Sequence, residues 1–299
     1  MIDPGISTSL DRAASVVARH AASQRLSPVL GLRLSHVEAS TPLAYRRYSP
    51  SLSAVFAGRK RSIIGDDDRV WGQERFLITP VDLPVIAGVV APDPDRGFVA
   101  VTWQLDMVLV HEVAAAAPRT RRPPASPDRL GEWSVGLADA FARLVGLLDE
   151  PEHAASLGPL YARETVLRLL QTEQAPRVLA AVESESAVVR EAVRLLNTRM
   201  AEPWTMSVLA AEVRASESSL FKRFKDATSM SPMQYLKRTR LGEARRRMIV
   251  RGDSAGYAAE AVGYKSASHF SRDYLAAYGR SPARDAAQVR DELRAPRPI

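Results

Sequence analysis

LAAEVRASESSLFKRFKDATSMSP (Leu209–Pro232) and AAEAVGYKSASHFSRDYLAAYGRSP (Ala258–Pro282) are one pattern written twice. At an offset of fifty residues Ser216 answers to Ser266, Leu220 to Phe270, Phe224 to Tyr274 and Ser231-Pro232 to Ser281-Pro282. Before the serine the offset is forty-nine, with Ala210 answering Ala259 and Val213 answering Val262. The slip falls in a turn, where a change of length is absorbed most easily. Two copies make a pair of similar modules and not a solenoid.

Each copy predicts helix, tight turn, helix. In the first, Met206–Val213 is a short helix, Arg214-Ala215-Ser216 the turn and Glu217–Ala227 the second helix. Ser216 stands at its N-cap, where a serine oxygen accepts from a free first-turn amide. Leu220 and Phe224, four apart, face a core and turn Ser218, Phe221, Lys222 and Lys225 outward. In the second, Tyr257–Val262 leads into a Gly263-Tyr264-Lys265 turn, and Ser266 caps a helix over 267–278. Phe270 and Tyr274 are its core face; Ala267, Ser268, His269, Ser271 and Arg272 lie on or near its exposed N-terminal part.

A helix-turn-helix lays its second helix in the major groove of DNA, with N-terminal residues at the base edges. Small hydroxyls, a histidine and an arginine suit that position, and Arg272 is the strongest base reader because arginine pairs bidentately with guanine. Lys222, Lys225 and Lys265 suit phosphates, contacts that add affinity without sequence information. The phosphate-facing set is Ser216, Lys225, Lys237, Arg246, Lys265 and Ser266.

Between the copies Pro232–Val250 reads as one helix of about 19 residues, ~29 Å long at ~1.5 Å per residue. Successive major grooves on one face of B-DNA lie ~34–36 Å apart, so such a strut fits two recognition helices into adjacent grooves. It carries Lys237, Arg238, Arg240, Arg245, Arg246, Arg247 and Arg251, a run that invites phosphate neutralisation. Residues 197–299 hold 19 Lys+Arg against 11 Asp+Glu, a balance of +8 in a chain whose net charge is +7. The whole basic excess therefore sits with the repeat, as expected of a nucleic-acid binder.

The preceding 196 residues read differently. Residues 8–24 are predicted as an amphipathic helix, and from about Val29 to Val113 short strand-like runs alternate with Gly, Pro and Asp punctuation. That spacing suggests a small β-barrel or sandwich. The Pro- and Arg-rich segment 117–128 reads as a linker or exposed loop. Helices are expected over Arg129–Leu148, with Leu137, Phe141, Leu144, Leu147 and Leu148 on one face, and over Leu157–Gln171, with Leu160, Tyr161, Val166, Leu167 and Leu170. The pair can seal the β domain or join a second copy into a homodimer. Residues 172–182 read as the junction and about Glu183–Met200 as a further helix.

The composition, 46% hydrophobic and 25% charged in 299 residues, allows two domains. The absence of cysteine excludes disulfides and thiolate zinc sites and agrees with a cytoplasmic location. No run approaches the ~18 apolar residues of a membrane span, and the start MIDPGIST lacks the basic and apolar regions of a signal peptide. No membrane partner is expected.

The run AVGYKSASHFSRDYLAAYGRSP (261–282), with RLGEAR (240–245) before it, resembles the DNA-binding region of the AraC/XylS family of bacterial transcription regulators. The resemblance gives the base-facing role to Ser218, Phe221 and Lys222 in the first module and to Ala267, Ser268, His269, Ser271 and Arg272 in the second. PLAYRRYSPSLSAVFAGRK, LITPVDLPVIAGVVA, YARETVLRLL and KDATSMSPMQYLKRTRLGEAR are similar to the subgroup with a small cupin-like β domain that binds an effector or dimerises. The implied fold is α+β: a cupin-like β-barrel with a helical pair in 1–172 (β-rich 29–113, helices 129–171), a linker at 173–182, and an all-α domain with two helix-turn-helix modules in 183–299. The implied partners are double-stranded promoter DNA, RNA polymerase and a small-molecule effector. Activation is the commoner outcome in the family and repression the alternative. Three departures stand out: Arg214 where a glycine is usual, Ala255-Gly256 where a larger apolar residue is usual, and Ala283-Arg284-Asp285 after Ser281-Pro282. Because glycine weakens a helix by ~1 kcal/mol relative to alanine, the second module is expected to be the looser.

The rival reading is a metal-dependent cupin enzyme with a DNA-binding tail. His20, His36, His111, His153 and His269 are scattered, without the clustered ligands such a metal needs. His36 and His111 are the pair a barrel could still bring together. Neither a catalytic residue nor a cofactor is expected. For an effector, Tyr45, Arg46, Tyr48, Lys60, Trp71 and Trp103 are the candidates, since pockets combine aromatic walls with a few polar groups. The same residue types also fill cores and surfaces.

Overall fold

Short β-branched runs between Gly, Pro and Asp turns become strands over residues 26–104. The computed structural model describes residues 3–21, 26–116, 128–182 and 186–294. The chain divides into two units, Met1–Ala187 and Val188–Ile299. Most of the segment expected as a loop at 117–128 lies outside the described residues, as do the first residues of the helix expected from Glu183.

The N-terminal unit opens with α1 (Pro4–His20). Its strands are β1 (Leu26–Ser27), β2 (Leu32–Val37), β3 (Ala44–Tyr48), β4 (Ser51–Ala57), β5 (Arg59–Ile64), β6 (Asp67–Trp71), β7 (Arg75–Thr79), β8 (Leu83–Ala91), β9 (Phe98–Gln104) and β10 (Leu130–Glu132). They form two antiparallel sheets among the described residues, ordered β1-β2-β9-β4-β7-β10 and β3-β8-β5-β6. The fold is α+β and cupin-like, built as an open sandwich and not a closed barrel.

The helices are α2 (Met107–Ala116), α3 (Val135–Gly146), α4 (Ala154–Leu169) and α5 (Ala175–Ala180). One face of the larger sheet, with Leu32, Leu52, Phe76 and Trp103, packs with Leu10 and Val17 of α1 and Phe141 of α3 in a single core. Trp133 bridges it, its ring 4.9 Å from Phe76 and 5.8 Å from Phe141.

Four expectations need correction here. The β region stops at Gln104 rather than Val113, because Asp106 accepts from the Val108 amide (2.8 Å) and starts α2, which carries His111. The helix expected from Arg129 starts at Val135, where Ser134 caps it by accepting from the Leu137 amide, and its first residues pair with β7 as β10. Leu160 and Leu167, expected on the packed face of α4, are exposed, while Val166 and Leu169 are buried. Within residues 173–182 lies α5, with Val178 and Leu179 buried.

In the C-terminal unit the order is α6 (Ser186–Thr198), α7 (Met206–Glu212), α8 (Glu217–Thr228), α9 (Pro232–Arg246), a π-turn over Arg247–Arg251, α10 (Ala255–Ala261), α11 (Ala267–Tyr278) and α12 (Pro282–Arg294). The repeat is physical down to its caps. Thr205 and Ser254, forty-nine apart, cap α7 and α10; Ser216 and Ser266, fifty apart, cap α8 and α11 by accepting from the amides of Ser219 and His269. Ser229 and Gly279 end α8 and α11 in the left-handed region, at φ 56° and 71°.

The two turns differ in one respect. Arg214 and Gly263, again forty-nine apart, both have positive φ, 54° and 91°. A side chain pays ~1–2 kcal/mol there that glycine does not. Arg214→Gly is therefore expected to raise stability by about 0.5–1 kcal/mol after glycine's own entropy cost. A denaturation midpoint equal to the parent's would contradict this.

Candidate nucleic-acid interface

The outward face of α8 is built as the spacing requires. Leu220 and Phe224 are buried, Phe224 meeting Tyr235 of α9 edge-on at 5.4 Å. Ser216, Ser218, Phe221, Lys222 and Lys225 are all exposed. Phe221, 42% exposed, is a large aromatic kept out of the core. Lys222 meets Asp226 at 3.0 Å one turn on, an exposed pair worth ~0–1 kcal/mol that a phosphate can displace.

On α11 the buried Phe270 and Tyr274 leave Lys265, Ser266, Ala267, Ser268, His269, Ser271 and Arg272 exposed. Tyr274 differs from its counterpart Phe224 by a hydroxyl, which donates to Asp285 of α12 at 2.6 Å. The same carboxylate accepts two bonds from the buried Arg245 of α9, at 2.7 and 3.2 Å. Burial works against the charge of Asp285, but the bonds from Arg245 and Tyr274 outweigh it and hold its carboxyl below the usual range.

That network corrects the reading of the connecting helix. Among its seven cations, Arg245 is enclosed with Asp285, and Arg240 donates to the carbonyls of Met200 and Glu202 at 2.8 and 2.7 Å. Arg247 pairs with Asp253 at 2.9 Å and stacks over Tyr257. A guanidinium so enclosed holds the protein together and is not offered to phosphate. The straight α-helix also ends at Arg246, giving ~22 Å of strut and not ~29 Å. Lys237 and Arg246 stay on the outside, Lys237 against Asp273 at 3.3 Å and Arg246 against Glu243 at 2.7 Å.

Asp273 was not singled out by sequence reasoning, though its place four residues after His269 is the signal that marks helix-surface pairs. Lys237, His269 and the Tyr264 hydroxyl all converge on it.

In the N-terminal unit the strand registers put four candidate effector residues, Arg46, Tyr48, Lys60 and Trp71, on one face of the smaller sheet, and leave Tyr45 and Trp103 elsewhere. Tyr48 and Lys60 meet at 2.6 Å, and Trp71 donates to Ser62 at 3.1 Å beside a small cavity lined by Ser62, Arg69, Leu77 and Arg129. Arg129 is 1% exposed; burial, and next the nearby Arg177, push its guanidinium down to about 9. By strand register Arg46 shares a face with Tyr48, whereas Tyr45 points the other way. Trp103 lies in the helix-covered core, 6.4 Å from Phe141. His36 on β2 and His111 on α2 are both exposed and on separate elements.

Residues 28–177 match the family described as AraC-type transcriptional regulator N-terminus, and residues 209–288 match a helix-turn-helix domain. The transcriptional activator RhaS of Pectobacterium atrosepticum is 29% identical over 160 residues, 51% of this chain and 56% of that protein. The transcriptional regulator ArgR of Pseudomonas aeruginosa is 28% identical over 150 residues, 49% of this chain and 45% of that protein. The chain spans about half the length of the curated relatives it matches. In fold it is similar to ToxT of Vibrio cholerae bound to an unsaturated fatty acid, with 9% identity and a TM-score of 0.51 over 86% of this chain and 93% of that one. With one family model covering half of its length and a second covering the repeat, the chain belongs to the AraC-type transcriptional regulators.

Proposed function

We propose that this chain is a cytoplasmic DNA-binding transcription regulator whose two modules read adjacent major-groove segments of promoter DNA. The observation that carries the reading is the repeated presentation of a capped, exposed helix start, at Ser216–Lys225 and Ser266–Arg272, on buried Leu220/Phe224 and Phe270/Tyr274. The activators among the relatives support activation, with RNA polymerase as the partner in this reading. The N-terminal unit then binds a small-molecule effector, and the Tyr48, Lys60, Arg46 and Trp71 face is the side of the second sheet that supports it. Leu160 and Leu167, exposed and two turns apart on α4, support homodimer formation. The family matches favour a regulator over a metal-dependent enzyme.

Binding to randomised duplex DNA tests this. Arg272→Ala is expected to cost about 1–3 kcal/mol and to relax preference at one base pair. Arg246→Ala is expected to weaken binding to all sequences and lower the salt slope by ~1. A parent chain that selects no motif would sink the reading.

A further inference from the structure

We propose that Asp273 is a positioning residue for base reading: its carboxylate orients the His269 imidazole at the DNA-facing start of α11. The inference rests on the second module reading DNA. Sequence-directed recognition helices gain nothing electrostatically from an acid, since a carboxylate repels phosphate. What Asp273 does instead follows from its surroundings.

Its side chain is 15% exposed, accepts from two donors and has a third group, the His269 ring, within ion-pair range. Lys237 of α9 reaches Oδ1 at 3.3 Å. The Tyr264 hydroxyl, from the turn before α11, donates to Oδ2 at 3.1 Å. His269, four residues back on α11 and 61% exposed, places Nε2 at 3.4 Å from the same Oδ2. Burial, and then the charge of Asp273, push the Tyr264 phenol upward, so it stays protonated and keeps donating. The Tyr264 ring also meets the His269 ring edge-on, with centroids 5.8 Å apart and planes at 84°.

The imidazole thus has an aromatic ring against one side and a carboxylate oxygen within ion-pair range of Nε2 on another. A carboxylate beside Nε2 favours the tautomer with the proton there, because the partner of one ring nitrogen sets the state of the other. Nδ1 is then an acceptor for DNA. An acceptor in the major groove reads the exocyclic amino group of adenine or cytosine. Without the carboxylate both tautomers are open to the ring, and it can donate or accept. The corresponding position in the first module is Arg223, so this device belongs to the second module alone.

The test selects duplexes from a randomised pool with the full chain, then with Asp273→Asn, His269→Ala and the double variant. Asparagine keeps the volume and removes the charge. His269→Ala is expected to flatten one column of the parent motif, one that favours adenine or cytosine. Asp273→Asn should flatten that same column by about tenfold in discrimination, and the double variant should be no flatter than His269→Ala, as for two residues acting through one contact. Affinity for unrelated duplex DNA should stay level or rise for Asp273→Asn, because a negative charge has left the face. A purely structural role would lower binding to every sequence together. An intact column in Asp273→Asn, a different column from that lost in His269→Ala, or a uniform loss of affinity would each overturn the proposal. A parent that selects no motif would overturn the DNA-reading function, and this inference with it.

Discussion

Asp285→Ala is expected to destabilise the C-terminal unit by about 3–5 kcal/mol, the cost of stranding a buried guanidinium whose partner is removed. Arg245 and Asp285 are both buried, and Tyr274, fully enclosed, loses the acceptor of its hydroxyl in the same stroke. The three residues come from α9, α12 and α11, so a single carboxylate ties together the helices that flank the second module. Hydrogen exchange on the full chain should show protection lost over 255–291 before 205–228. Equal loss in both stretches would mean that the network does not localise stability. The pH dependence follows from the sign of the shift. A carboxyl held below its unfolded value of ~3.9 contributes stability that is present above that value and is lost as pH falls through the lower folded one. The difference between parent and variant should therefore be constant from ~5 to ~8 and shrink below ~4.

Gly263→Ala should be nearly as damaging, on the order of 3 kcal/mol, from ~1–3 of backbone strain and a similar overpacking cost. At φ 91° the position is hostile to any side chain, and an added Cβ would lie 2.8 Å from the Ala201 Cα and closer still to its carbonyl oxygen. Arg214 tolerates positive φ in the first turn; the second turn lacks the space. Thermal unfolding of the full chain measures this, and a melting temperature equal to the parent's would show that residues 200–202 move aside without penalty.

The repeat, its caps and its core faces were legible because each rests on local chemistry: a serine before a helix, aromatic residues four apart, a glycine or its substitute in a turn. The ends of the β region and of α3 were less so, since capping by Asp106 and Ser134 competes with apolar texture that suits either strand or helix. Least legible were the roles of charged residues. Seven cations on one stretch look alike in sequence, yet Arg245 and Arg240 serve a carboxylate and carbonyls about forty residues away, and Arg247 serves Asp253 in the following turn. Asp285 shows the same limit from the other side. It falls in the Ala283-Arg284-Asp285 departure from the family ending, and the partner that explains it stands forty residues earlier.

The hydroxyls inside the sandwich have a consequence for how the sheet finds its alignment. Ser51 of β4 bonds Thr79 of β7 at 2.8 Å, and Ser53 bonds Thr102 of β9 at 3.0 Å, each directly opposite its partner. Sliding β4 by two residues would preserve the inward and outward alternation of its side chains, so hydrophobic patterning alone does not forbid that error. It would, however, set Ser51 against Leu77 and leave polar atoms enclosed without partners, at ~1–3 kcal/mol each. Two serines on a central strand thus act as a lock against mispairing with either neighbour, a task that apolar residues of the same size could not perform.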